Sequence, residues 1–109
     1  MIEFRIQGTP NPKARKYVIE IDFKATGRVS YKSAEECKHI PLAQDLFSIP
    51  GITQLHFFQN TLTVTQDGRW DWADLDEHVQ NIVTKALPKH DANFVDDPNK
   101  DEPDVKPQF

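Results

Sequence analysis

A chain of 109 residues, of which 38% are hydrophobic, holds one domain with a modest core, and its single cysteine excludes an internal disulfide. The net charge of -4 is unevenly spread: residues 1–38 carry eight Lys/Arg against five acids, the remainder five against twelve. Such a division favours a polarised surface facing a charged protein partner and disfavours general nucleic-acid affinity.

The first element is a strand, because Ile2, Phe4 and Ile6 alternate with Glu3, Arg5 and Gln7. Gly8 to Pro12 interrupts it: neither proline can donate to a ladder, and each drives Thr9 or Asn11 toward extended geometry. Alternation resumes with Tyr17, Ile19, Ile21 and Phe23 on one side and Val18, Glu20 and Asp22 on the other. Thr26-Gly27 reads as a turn, with a short edge strand over 28–32. Leu42, Leu46 and Ile49 then follow a helical spacing that Pro50-Gly51 stops, and Pro41 suits the first helical position. Ile40 falls at the N-cap, where its side chain cannot accept a hydrogen bond. On capping chemistry alone, Ile40→Ser stabilises the fold by about 1 kcal/mol, unless Ile40 is a core residue.

Two strands, 52–58 and 61–66, form a hairpin through Gln59-Asn60, with Leu55 and Phe57 facing Leu62 and Val64. Asp67-Gly68 turns the chain, and Asp71, with Asp74 three residues on, opens a second helix. Trp72, Leu75, Val79, Ile82, Val83, Ala86 and Leu87 supply its apolar stripe, and Pro88 ends it. Residues 89–109 hold prolines at 98, 103 and 107 and six acids, a composition that predicts a disordered acidic tail. The expected fold class is α+β: a two-layer sandwich with a mixed or antiparallel sheet of four to five strands and two helices on one face. The folded domain spans 1–88.

Chemistry is sparse. Walker, G-x-S-x-G, G-x-G-x-x-G and H-E-x-x-H patterns are missing from the sequence, so catalysis has little support. Cys37 and His39 make a C-x-H pair in an expected loop. They supply two metal ligands where structural zinc needs four, and a site would need nearby carboxylates or a second copy. His56 reads as a cross-strand residue, His78 as a flank of the helix stripe and His90 as tail. Lys13, Arg15 and Lys16 read as a solvated strand entry or the rim of a protein-binding surface. Trp70, outside the helix stripe, is either a lid over the sheet edge or a partner anchor. The opening MIEFRIQ has no secretory h-region or transit pattern, and no segment approaches the roughly eighteen apolar residues of a membrane span. With a lone thiol, these features predict a soluble cytoplasmic protein that meets neither membrane nor nucleic acid.

TPNPKARKYVIEI, SAEECKHIPLAQDLFSIPGITQLHFF, LTVTQ and DWADL occur in that order. Together they resemble the N-terminal domain of the Nfu/NifU iron–sulfur scaffold family over roughly residues 4–87. The resemblance implies a non-enzymatic accessory role in iron–sulfur cluster assembly or delivery, with assembly or client proteins as partners. Full scaffolds hold their cluster on a C-x-x-C in a separate C-terminal module, and no ligand position there maps onto this sequence. No cofactor is therefore expected in the isolated chain, and iron or a cluster only through a partner or dimer. Ile40 stands where the family tends to place a serine cap, and the loop at Gln59-Asn60 is about one residue shorter.

Overall fold

The computed structural model describes residues 2–94. Strands β1 (Arg5–Gly8), β2 (Ala14–Val18), β3 (Lys24–Tyr31), β4 (Ile52–Gln59) and β5 (Thr61–Gln66) form one sheet in the order β1-β2-β5-β4-β3. Every neighbouring pair is antiparallel. Helices α1 (Pro41–Phe47) and α2 (Trp72–Ala86) complete the α+β sandwich, with 3-10 turns at Ala34–Cys37 and Leu87–Lys89.

The sheet's inward residues Tyr17, Leu55, Phe57, Leu62 and Val64 are fully buried with Leu42, Leu46, Leu75, Val79 and Val83 of the helices. Register follows the apolar pattern, since Leu55 pairs with Val64 and Phe57 with Leu62, as the hairpin reading requires. Gln59 closes this hairpin with a left-handed φ of 52°. Asn60 fastens the turn to the end of β2: its side-chain amide donates to the Ile19 carbonyl (2.8 Å), and the Ile19 amide donates back to the Asn60 carbonyl (3.1 Å).

Four local expectations are corrected. The alternation over 17–23 fails at Ile21, which is 55% exposed, because β2 ends at Val18 and the chain turns over the hairpin tip before Phe23 re-enters the core. Thr26-Gly27 is a bulge inside β3 and not a turn: pairing shifts between Lys24 and Arg28, and Gly27 takes φ 70°. Ile40 does sit at the N-cap of α1, with extended φ and ψ, but it is a core residue, 1% exposed. Asp71 holds the N-cap of α2 without a side-chain capping bond; its carbonyl accepts from the Asp74 and Leu75 amides instead.

Gly51 links α1 to β4 at φ 89°, and a Cβ there would meet the Arg69 Cδ at 2.8 Å and the Asp67 carboxylate at 2.9 Å. Gly51→Ala is therefore expected to cost about 1–3 kcal/mol in backbone strain and displaced side chains, read as a lower midpoint in urea.

Candidate functional site

The segment Thr9 to Lys13 joins β1 to β2 and satisfies its own polar groups. The Thr9 hydroxyl lies 2.8 Å from the Asn11 carbonyl and 3.0 Å from the Ala14 carbonyl, and accepts from the Asn11 amide. The Asn11 side-chain oxygen accepts from the Lys13 amide at 3.0 Å. These Thr and Asn turns let two prolines sit where no ladder donor is needed, and they set the pairing of Gly8 with Arg15.

The basic group that follows does not act as one unit. Arg15 turns toward the helices, where its guanidinium donates to Asp76 Oδ2 at 2.6 Å and lies 4.8 Å from the Trp72 ring centre. Tyr17 donates its hydroxyl to Asp76 Oδ1 at 2.6 Å, and the Trp72 indole donates to the Pro12 carbonyl at 3.0 Å. Arg15 thus ties the loop and β2 to α2 and is half-buried, whereas Lys13 and Lys16 are exposed. Trp70 is half-buried against the core and fixed: its indole donates to the Pro50 carbonyl at 2.6 Å, and its backbone is gripped at both ends by the buried Gln66 amide. His78 meets it edge-on at 5.1 Å. This geometry is that of a lid between α2 and the α1–β4 connection.

Cys37 and His39 are not a solvated loop pair. Cys37 is 0% exposed, and its thiol faces the Ser33 carbonyl at 3.5 Å. Burial pushes the thiol up to about 11, with Glu36 adding to the shift and the Gln44 amide opposing it. A metal binds the thiolate, which this setting disfavours. His39 is half-buried, edge-on to Tyr31 and Phe94. Among the described residues no group of three or more His, Cys, Asp or Glu is placed to hold a metal ion. Native protein at pH 8 is expected to resist iodoacetamide at Cys37, and the same protein in urea to react at the rate of a free thiol.

The fold continues past the expected boundary at residue 88. His90 Nε2 donates to the Phe23 carbonyl at 2.7 Å, the Ala25 amide donates to the Ala92 carbonyl at 2.9 Å, and Phe94 packs on Phe57 at 5.9 Å beneath the Lys24 ammonium. Residues 89–94 are thus a strap on the core; the rest of the expected tail lies outside the described residues.

Sequence reasoning missed the open side of the sheet. Register places Arg5, Val18, Thr61, Phe58 and Arg28 in one outward row, and Gln7, Lys16, Thr63, His56 and Ser30 in the next. Arg5, Lys16, Arg28 and the 43%-exposed Phe58 come from four different strands. Only pairing brings them together, so spacing along the chain carries no signal of this face.

The family described as scaffold protein Nfu/NifU N terminal matches residues 4–90, and the chain belongs to that family. A NifU-like protein of Schizosaccharomyces pombe is 25% identical over 107 residues, 96% of this chain but 41% of its own length. The chain therefore spans about two-fifths of that curated relative. The solution structure of a NifU-like protein from Saccharomyces cerevisiae shares the fold with a TM-score of 0.71 at 24% identity, covering 81% of this chain and 80% of that one. The crystal structure of protein SAV1430 from Staphylococcus aureus aligns with a TM-score of 0.63 at 15% identity, covering 74% and 95%. No helix among the described residues is long and apolar enough to cross a membrane.

Proposed function

We propose that this domain is a non-enzymatic accessory module that assists iron–sulfur cluster assembly or delivery through protein contacts. The observation that carries the reading is family membership over residues 4–90, nearly the whole described fold. The self-satisfied Thr9–Lys13 loop, the bonded Arg15–Asp76 pair and the buried Cys37 support a surface role, because these groups are engaged inside the fold while Lys13 and Lys16 stay exposed. In this reading the cluster is cargo held by a partner, and the domain positions that partner through exposed parts of the sheet and the 50–60 hairpin region.

Crosslinking in the native host, followed by affinity purification of the full chain and mass spectrometry, tests the proposal. Enrichment of cluster-assembly proteins or cluster-containing clients over a charge-matched control protein is expected. A profile without them removes the proposal.

A further inference from the structure

Among the described residues, none in the five strands is acidic. Of the strand cations, Arg15 and Lys24 turn inward, onto Asp76 and over the Phe94 ring. Arg5, Lys16 and Arg28 face outward and are exposed, and exposed Lys32, two residues after outward Ser30, extends the group past the end of β3. Asp74, Asp76 and Glu77 lie on α2 and Glu35 in the turn before α1, while Glu3 and Glu20 line a hollow with Ile2 and Ile21 at the Arg5 end of the sheet, and Glu36 accepts from the Lys32 amide at 2.7 Å. The strands of the open face thus carry cations and no acids, with Glu3, Glu20 and Glu36 at its margins and α2 carrying three acids on the helix side.

The relief of that face is also informative. Its central strand, β5, presents the short side chains of Thr61, Thr63 and Thr65. Longer side chains flank this row, Lys16 and Arg5 toward one edge and His56, Phe58 and Arg28 toward the other. Neighbouring strands lie about 4.8 Å apart, so a chain lying along β5 has cations within side-chain reach on both sides. An extended segment projects its side chains alternately to left and right, which matches cations on two flanks.

We propose that the open face of the sheet binds an extended acidic segment of a partner protein, with Arg5, Lys16, Arg28 and Lys32 engaging its carboxylates and Phe58 an adjacent apolar side chain. This deepens the protein-contact reading above by naming the surface and the partner's chemistry. A nucleic acid fits less well: the chain is net negative, its helix layer is acidic, and the face offers one exposed ring where single-strand binders interleave several. His56 supplies an internal reporter. It bonds Ser30 Oγ at 2.6 Å, and burial, then the Arg28 and Lys16 charges, holds its pKa below the usual histidine range. Carboxylates placed on those cations offset their effect and raise it.

The test is an NMR titration of the full chain with a synthetic twelve-residue peptide of alternating Glu and Ser carrying one Phe, at low salt. Shifts confined to Arg5, Lys16, His56, Phe58, Thr63 and Arg28 are expected, with a rise in the His56 pKa. Lys16→Glu and Arg28→Glu should each weaken binding about fivefold, because exposed ion pairs contribute modestly one by one, while Lys13→Glu in the loop leaves it unchanged. Shifts centred on the loop or the helix layer would overturn the proposal. So would tighter binding of a single-stranded oligonucleotide of equal charge at the same residues, or shifts that track protein concentration and mark a second copy. If converting Asp96, Asp97, Asp101, Glu102 and Asp104 to amides moves the same resonances without peptide, the face belongs to the chain's own segment and the partner assignment falls. Because the peptide contains no iron–sulfur protein, its failure leaves the family-based reading to be judged on co-purification.

Discussion

Ile40→Ser is expected to destabilise the domain by about 2–3 kcal/mol, opposite in sign to its effect on an isolated helix. A serine at this N-cap could accept from a first-turn amide and recover about 1 kcal/mol. Against that stands a side chain only 1% exposed, packed into the cluster that includes Leu42, Leu46 and Cys37. Removing such an aliphatic group costs about 2–5 kcal/mol, and the hydroxyl brings a polar atom into an apolar wall. Ile40→Val, which keeps the branch and loses one methylene, should cost only about 1 kcal/mol. Urea denaturation of both variants decides it; an unchanged or raised midpoint for the serine variant would show that the capping term outweighs the packing.

Asp76→Ala is the second large effect, about 3 kcal/mol. It removes two short hydrogen bonds at once and leaves the Tyr17 hydroxyl buried without its acceptor. Tyr17→Phe in the same background deletes the stranded hydroxyl, so the double variant should be more stable than the sum of the single losses predicts. The pair also sets a pH dependence. Burial, then the hydrogen bond to Asp76 and its charge, holds the Tyr17 phenol well above its ordinary value near 10, with Arg15 opposing. Above about pH 10 the unfolded tyrosine loses its proton while the folded one keeps it, so this contribution is fully present below that pH and declines as pH rises through it. Tyr17→Phe should lose stability less steeply than the natural chain between about pH 9.5 and 11. Parallel curves for the two proteins would place the phenol in water.

What the sequence revealed depended on whether a residue's environment is local. The β4–β5 hairpin and the α2 stripe were legible because Leu55, Phe57, Leu62, Val64, Leu75, Val79 and Val83 repeat at the period of their own element. Ile21 was misplaced because alternation shows where a strand is allowed, whereas β2 ends where the chain must cross the hairpin tip. Arg15 looked like surface charge until Asp76, sixty-one residues away, took it. Residues 89–94 read as tail because polar composition hides Phe94, whose burial depends on Phe57 and His39 arriving from two other places, with His90 of the same segment packed beside it.

The strap at 89–94 also governs how this sheet treats strangers. β3 is an edge strand, and its Ala25 amide is already taken by the Ala92 carbonyl, with the bulge at Gly27 beside it. A foreign strand seeking to extend the sheet there finds its first donor occupied and the ribbon kinked. A chain cut after Pro88, at the end of the apolar helix pattern, would free that amide and uncover one face of the Phe57 ring. The resulting molecule would keep its sheet and gain an adhesive margin, so its self-association should grow with concentration while the chain that retains Phe94 stays monodisperse.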